Sequence, residues 1–175
     1  MNRILDGVRA GDALLAAALT AFGVFLMVAN IHSHDGTRVD SRTWLLVPVF
    51  AAATLPILWR RRHLALVLAV SAAALLVHVV AFGWMVRCGV GLPLACALSY
   101  AVGRLGADRI ASVLGLLVTL GIQALVLVRD SAAGIEVLSA TAAIGVVVWG
   151  VGAWLRHRTA REHDVTAPDR VETFA

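Results

Sequence analysis

The sequence predicts an all-α fold, a polytopic membrane bundle of six transmembrane helices with both termini in the cytoplasm. Hydrophobic residues make up 60% of the 175 residues, and the mean hydropathy is +0.86. Charged residues make up only 15%, well below the roughly 25% of soluble domains. Apolar blocks long enough to cross a hydrocarbon core, which takes roughly 17 to 25 residues, recur along the chain. All fifteen Lys and Arg positions are arginines, and they lie between these blocks.

Each apolar block is predicted to be a helix, because a segment in lipid must satisfy its own backbone hydrogen bonds. The blocks are too uniformly apolar for the alternating strands of a membrane barrel. The six predicted spans cover residues 13–31, 43–59, 64–86, 88–103, 110–128 and 132–155. Residues 1–158 therefore form one transmembrane domain, and we expect residues 159–175 to be a short disordered cytoplasmic tail.

The first three spans are defined by their flanking residues. The first follows two arginines, as a signal peptide does, but no small-residue cleavage site follows it, so we expect an uncleaved helix. Pro56 is expected to bend the second span. The tight turn Arg60–His63 makes the second and third spans an antiparallel hairpin. Alanines at fourfold spacing predict helix-packing faces on the first and third spans; they are Ala13, Ala17 and Ala21, and Ala65, Ala69 and Ala73.

The fourth span is the least apolar, with five Leu, Ile, Phe or Val residues against twelve in the fifth span. Six crossings place eleven arginines inside and four outside, whereas five crossings place six inside and nine outside. Since inner loops carry the arginine excess in membrane proteins, six crossings are predicted. The inner topology determinants are Arg60, Arg61, Arg62, Arg104, Arg109, Arg156 and Arg158, and the outer arginines are Arg38, Arg42, Arg87 and Arg129.

Two groups of polar residues are candidate sites. His32, His34 and Asp35 follow the first span, and imidazole and carboxylate groups can ligate zinc or copper. A solvated polar loop is the favoured interpretation, so no metal is predicted. His78, Gln123 and Glu136 fall within spans, where polar side chains mark either an ion or proton path or hydrogen bonds between helices. Hydrogen bonding is favoured, because no carboxylate lies at the membrane midplane.

An enzyme is not predicted, because no G-x-S-x-G, H-E-x-x-H or P-loop pattern occurs. Accordingly, we predict neither catalytic residues nor cofactors. Cys88 and Cys96 lie eight residues apart on one helix, about 12 Å along its axis. A disulfide needs its Cα atoms within roughly 7 Å, so these two cysteines cannot pair within that helix.

Three stretches share a common resemblance: LPILWRRRHLALVLAV (residues 55–70), LACALSYAVGR (94–104) and VWGVGAWLRHR (148–158). In that order they resemble the N-terminal membrane domain of actinobacterial two-component sensor histidine kinases, whose kinase half is related to nitrate and desaturase regulators. The resemblance covers roughly residues 43–158. It departs at His63 and Leu64, where a proline usually follows the arginines, and at Arg161–Asp164, which lacks the leucine of the phosphoacceptor motif.

In that family the last membrane helix continues into a coiled coil, a phosphoacceptor helix and an ATP-binding domain. The twenty residues 156–175 are too few for such a domain, so the resemblance implies a membrane half without kinase domains. We therefore expect a non-catalytic regulatory or interaction module in the bacterial plasma membrane, acting in signal transduction. Its expected partners are membrane lipids and a membrane histidine kinase or a second copy, and no nucleic acid. The alternative is a small transporter or channel using His78, Gln123 and Glu136.

Overall fold

The computed structural model describes residues 8–33 and 38–166, with side chains as far as Arg161. These residues form helices and no β-strand, which confirms the predicted all-α fold. The six α-helices are α1 (Ala10–His32), α2 (Leu46–Thr54), α3 (Leu64–Phe82), α4 (Cys88–Leu105), α5 (Arg109–Leu127) and α6 (Leu138–Thr166). Short 3-10 helices extend α2 (Leu55–Trp59) and precede α6 (Ile135–Val137). Five helices are long and apolar enough to cross a membrane, and α2 with its extension is shorter. The chain is thus a multi-pass helical membrane protein.

The second predicted span is a composite rather than one regular helix. The α-helix ends at Thr54 and continues as the 3-10 helix, with Pro56 at its start. Proline lacks the N–H that an α-helix needs at this position, so the helix type changes there. The turn after Trp59 then leads directly into α3.

Helix α3 ends at Phe82, four residues before the predicted end at Val86. Gly83 has φ +67, which ends the helix, because few residues other than glycine adopt that conformation at low cost. Residues 83–87 form a linker to α4 and make long-range hydrogen bonds that a helix would not allow.

Helix α4 lies at the centre of the bundle, although its sequence is the least apolar of the five long helices. Half of its residues are buried, against about a tenth for the long span that contains α6. A Cβ on Gly103 would collide with the backbone carbonyl of Trp149, and one on Gly152 would lie 2.6 Å from that of Tyr100. The glycines therefore let α4 and α6 approach backbone to backbone, a packing mode typical of membrane helices.

The two sets of alanines at fourfold spacing do not pack against other helices of the described chain. The prediction that they form helix-packing faces within the chain is therefore wrong. All six of these alanines are exposed. On α1 the buried face instead includes Ala16, Leu19, Gly23 and Met27. Both small and large residues of α1 therefore fill the interior, and the six alanines at fourfold spacing face outward.

Polar contacts at one end of the bundle bring helix ends together. Asp12 at the start of α1 pairs with Arg60 and Arg61 in the α2–α3 turn. Near the C-terminal end of α6, Arg156 donates to the carbonyl oxygen of Gly106 in the α4–α5 turn, over 2.7 Å. We call this the inner end, after the arginine distribution, and the opposite end, with linker 83–87 and loop 128–137, the outer end.

Helix α6 differs from the prediction at both of its ends. Its α-helical part begins at Leu138 rather than at residue 132, and it continues to Thr166 instead of stopping at Leu155. Residues 159–166, expected to be disordered, are thus helical. The rest of the expected tail, residues 167–175, lies outside the described residues.

Candidate functional site

A buried polar cluster at the outer end is the candidate site, and Arg87 is its centre. Arg87 precedes α4 and is fully buried. Its Nε donates to Nδ1 of His78 over 3.0 Å, and its Nη1 donates to the carbonyl oxygen of Arg129 over 2.9 Å. Its Nη2 donates to the carbonyl oxygens of Gly83 (2.6 Å) and His78 (3.3 Å). The guanidinium therefore uses four of its five N–H donors on neutral acceptors.

The charge of Arg87 is solvated by dipoles, because none of the ion pairs among the described residues includes it. Burial lowers the pKa of Arg87 to about 10, and the nearby carboxylate of Asp130 limits the decrease. Arg87 thus stays charged at neutral pH.

The bond to Arg87 fixes the protonation state of His78. Because Nδ1 accepts a hydrogen bond, the imidazole proton lies on Nε2. Protonating Nδ1 as well would break this bond and place a second positive charge against the guanidinium. The ring lies edge-on to Phe50 and Phe82, with centroids 5.3 and 5.0 Å away, and among the described residues Nε2 has no hydrogen-bond partner. The geometry holds the imidazole neutral.

Asp130 joins loop 128–137 to the start of α4. Its Oδ2 accepts the backbone N–H groups of Arg87 and Cys88, each at 2.6 Å. Its Oδ1 accepts those of Ala132 and Ala133, at 2.9 and 3.0 Å. A carboxylate at this position satisfies the free N–H groups of the helix N-terminus and interacts favourably with its dipole. Asp130 thus caps α4 from 42 residues further along the chain.

Two further residues hold linker 83–87 in place. The amide of Asn30, in α1, donates to the carbonyl oxygen of Val86 over 2.8 Å and accepts the Val86 N–H over 3.2 Å. Asp40 accepts the N–H of Trp84 through Oδ2 over 2.9 Å, and its own N–H donates to the Trp84 carbonyl oxygen. The Trp84 N–H, aided by Arg38, keeps the pKa of Asp40 below its ordinary value. The linker therefore connects α1, the loop before α2 and loop 128–137.

Of the predicted polar intramembrane residues, only His78 belongs to this cluster. Gln123 is fully buried, but it packs against Gly145 of α6, and neither of its amide atoms has a hydrogen-bond partner in the part of the chain that the structure describes. Glu136 is exposed in the 3-10 helix before α6. Within the described residues, no hydrogen bond joins any two of these three side chains. The structure does not assemble them into one site.

The predicted metal candidates are only partly described. His32 is exposed at the end of α1, its Nδ1 lies 2.9 Å from the carbonyl oxygen of Val28, and its ring is edge-on to Trp44. His34 and Asp35 lie outside the described residues. Within the described part of the chain, no group of three His, Cys, Asp or Glu residues could hold a metal ion.

The inner arginines make specific contacts. The side chain of Asp12 is completely buried, and its Oδ1 accepts from Arg60 Nε over 2.8 Å while its Oδ2 accepts from Arg61 Nε over 2.5 Å. Arg104 donates to the hydroxyl of Thr159 over 3.0 Å. Arg158 lies over the ring of Trp154. Arg109 is exposed at the start of α5, and Arg62 is exposed in the α2–α3 turn.

Sequence reasoning did not single out Asp12, Asn30, Asp130 or the burial of Arg87. Asp12 and Asp130 are acids at the ends of predicted spans, and this position is the one signal that could have marked them. Their partners are 48 and 42 residues away in the chain, so spacing alone could not pair them.

Comparisons with known proteins identify no relative: no family model, curated protein or solved structure matches this chain.

Proposed function

We propose that this chain is a non-catalytic regulatory or interaction module of the bacterial plasma membrane. In this proposal α6 carries changes at the outer-end cluster to the inner end. One observation carries the proposal: α6 is a single continuous helix that follows loop 128–137 and extends past the inner-end turns. Loop 128–137, which leads into α6, is attached to the cluster through Asp130.

The contacts of α6 support such coupling. The close approach at Gly103 and Gly152 joins α6 to α4, and Arg104 and Thr159 join the same helices again near the inner end. The 29 residues of α6 correspond to about 43 Å of helix, longer than the roughly 30 Å hydrocarbon core. Displacement of loop 128–137 would therefore move a helix that reaches beyond the membrane.

The family resemblance supports the same role. Its three stretches contain the α2–α3 turn, the C-terminal half of α4 and the part of α6 that packs against α4. In the resembled kinases the helix corresponding to α6 leads into the signalling domains. The proposed partner is therefore a membrane histidine kinase or a second copy of this chain. Both termini are proposed to lie in the cytoplasm.

The placement of the polar residues favours this role over transport. His78 is engaged by Arg87, Gln123 packs between α5 and α6, and Glu136 is exposed outside the bundle interior. A proton or ion path needs adjacent polar groups along the span. These three residues do not supply such a path in the described structure.

Photo-crosslinking in native membranes tests the proposal. A photoreactive residue at Val147, which is 65% exposed on α6, is compared with one at Leu117, which is 58% exposed on α5. We expect Val147 to crosslink to a histidine kinase or to a second copy of the chain, and Leu117 to crosslink to lipid alone. Lipid adducts alone at both positions would contradict an interaction role for α6.

Reconstitution in proteoliposomes tests the alternative. The proposal predicts no ion flux above that of empty vesicles. Flux that is abolished by His78→Ala and retained in Arg129→Gln would replace the proposed role with transport through the bundle. Because the side chain of Arg129 is exposed, Arg129→Gln serves as the control for a substitution that leaves the interior intact.

A further inference from the structure

Gln123 places a buried amide of α5 directly against α6. Its side chain is fully buried, and among the described residues neither Oε1 nor Nε2 has a hydrogen-bond partner. A Cβ on Gly145 of α6 would lie 2.6 Å from this Nε2, so the missing side chain of the glycine makes room for the amide. Polar atoms that are buried without a hydrogen bond disfavour the packing that buries them. Gln123 therefore weakens the contact between α5 and α6.

The other two buried polar residues of α5 have partners. The hydroxyl of Ser112 accepts from Nε1 of Trp149 in α6 over 2.9 Å. The hydroxyl of Thr119 accepts from that of Ser99 in α4 over 3.0 Å. Both residues thus stabilise the contacts of α5 with its neighbours, whereas Gln123, nearer the outer end, opposes one of them.

The outer part of α6, residues 138–147, has little else to hold it in place. Within the described residues, none of its side chains makes a hydrogen bond to another helix, and the hydroxyl of Thr141 donates to a carbonyl oxygen of α6 itself. The hydrogen bonds from α6 to the rest of the bundle come from residues further along: Trp149, Arg156 and Thr159. The unpaired amide of Gln123 therefore lies where the attachment of α6 is weakest.

We propose that α6 has two positions against α5 and that Gln123 keeps them close in free energy. In the position seen in the structure, the amide packs against Gly145. In the second position the outer part of α6 moves away from α5, and the amide binds water that enters from the outer end. Gln123 lies only four residues before the end of α5, about 6 Å along the helix. An amide that is unpaired in one packing and hydrated in another makes a helix bistable.

The contact between Gly152 and α4 provides a pivot for this movement, because the two backbones approach most closely there. The helix extends fourteen residues from Gly152 in each direction, to Leu138 and to Thr166, about 21 Å on either side. Movement of the outer part away from α5 would displace the inner part by a similar distance in the opposite direction, and the hydrogen bonds of Arg156 and Thr159 would rearrange. This inference rests on the proposed role of α6, for which it supplies the switching residue.

Distances between pairs of spin labels on the full chain, measured by double electron–electron resonance in lipid nanodiscs, test the two positions. The native cysteines are first replaced by alanine. Each pair joins an exposed residue of α3 to one of α6: Val80 and Ile144 at the outer end, and Leu66 and Ala160 at the inner end. We expect two distances for each pair, in the same ratio of populations. A single distance for the outer pair would overturn the proposal, and two distances for the outer pair alone would contradict the pivot.

Variants of Gln123 test its part in the balance. Gln123→Met keeps the length of the side chain and removes both polar atoms, so it should reduce the population of the second distance at least about fivefold. Ser71→Ala is the matched control, because the Ser71 hydroxyl in α3 is also buried and has no hydrogen-bond partner among the described residues. It should change that population less than about twofold. Equal changes in the two variants would exclude a specific role for Gln123, and thermal unfolding checks that both fold.

The spin-label distances are measured without a partner protein, so they are independent of photo-crosslinking at Val147. A single position of α6 together with protein crosslinks at Val147 would reject the switch and retain the interaction role. Two positions that respond to Gln123→Met, without protein crosslinks, would retain the switch and reject the interaction role.

Discussion

Arg87 and His78 are joined side chain to side chain in the protein interior, where Nε of Arg87 donates to Nδ1 of His78 over 3.0 Å. The bond connects linker 83–87 to α3 and gives both residues a structural role. Arg87 lies at the end of the bundle that we call the outer end, and it is buried among the helices. A buried cation without an ion-pair partner depends on every neutral acceptor around it.

Replacing Arg87 should therefore destabilise the fold. Arg87→Met keeps much of the side-chain volume but leaves Nδ1 of His78 and the carbonyl oxygen of Gly83 without donors. The Arg129 carbonyl oxygen keeps only the N–H of Met85, at 3.4 Å. Each unsatisfied buried group costs about 1 to 3 kcal/mol, so we expect a net loss of about 3 kcal/mol after relief of the buried charge. Thermal unfolding in detergent micelles measures it.

Arg129→Gln is the matched control for Arg87→Met. It removes one positive charge from the same end of the bundle, and the carbonyl oxygen of residue 129 remains available to Arg87. The side chain of Arg129 is exposed, so its loss should cost less than about 0.5 kcal/mol. Equal destabilisation by the two variants would show that charge, and not the buried hydrogen bonds, governs stability.

Asp40 should make the attachment of the loop before α2 to linker 83–87 dependent on pH. The Trp84 N–H lowers the pKa of Asp40 below 3.8, so the folded state favours the carboxylate. A lowered pKa gives stability that is present above the unfolded value and lost as the pH falls through the folded value. We expect wild type to exceed Asp40→Asn in thermal stability at about pH 5, and the difference to disappear well below pH 3.8. A stability difference between wild type and Asp40→Asn that stays constant across this pH range would contradict this role of the Asp40 carboxylate.

The order and approximate limits of the helices were predictable, because a hydrocarbon core imposes length and apolarity on each span. The ends of α3 and α6 were not. The apolar run of the third span continues to Val86, but α3 ends at Phe82. The hydrogen bonds that hold linker 83–87 outside the helix come from Asn30 and Asp40, in distant parts of the chain. Low apolarity made α4 look marginal, whereas its glycines reflect packing against other helices instead of lipid.

The candidate site was harder to predict than the fold. His78 was identified because a histidine in a span is unusual, but Arg87 was classed with the surface arginines. Burial of an arginine depends on the carbonyl oxygens that surround it, and one of these, at Arg129, lies 42 residues away. Gln123 and Glu136 share the polarity of His78 but not its location, which only the packing of α5 and α6 determines.

Alanine substitution should have opposite effects on the free energy of unfolding at two glycines of α6. A Cβ at Gly152 would lie 2.6 Å from the Tyr100 carbonyl oxygen, whereas one at Gly150 meets nothing within 4 Å. Gly152→Ala should push α6 from α4 and cost about 1 to 3 kcal/mol. Gly150→Ala should be neutral or stabilise by up to about 1 kcal/mol, because alanine favours helix. Thermal unfolding that shifts equally in both variants would contradict the close α4–α6 contact.

Asp12 should stabilise the attachment of α1 to the α2–α3 turn. Asp12→Asn removes the charge that balances Arg60 and Arg61, whose side chains are 12% and 35% exposed. Loss of one partner of a fully buried ion pair costs about 3 to 5 kcal/mol, and partial hydration of these arginines should reduce the cost to about 2 kcal/mol. Asp108→Asn is an exposed change of the same charge at the same end, and asparagine can still accept the Ala111 N–H at the start of α5, so it should cost less than about 0.5 kcal/mol. Equal unfolding temperatures for the two variants would refute this role for Asp12.

The six-crossing topology depends on α2 reaching both faces of the bilayer. Its nine α-helical and five 3-10 residues span about 24 Å, less than the roughly 30 Å hydrocarbon core. Asp12 nevertheless pairs with Arg60 and Arg61, so the start of α1 and the end of α2 lie at the same end of the bundle. Helix α2 and the segment before it therefore together bring the chain back to the end of the bundle at which α1 starts.

Cysteine labelling in intact cells tests this topology. With Cys88 and Cys96 replaced by alanine, single cysteines are introduced at Ala107 in the α4–α5 turn and at Ala132 in loop 128–137, both exposed positions. Six crossings place Ala107 on the arginine-rich inner side. We expect a membrane-impermeant maleimide to label Ala132→Cys in intact cells and Ala107→Cys only after permeabilisation. Labelling of Ala107→Cys in intact cells would mean that an odd number of helices crosses the membrane before the α4–α5 turn. That turn would then lie on the outer side, contrary to the six-crossing topology.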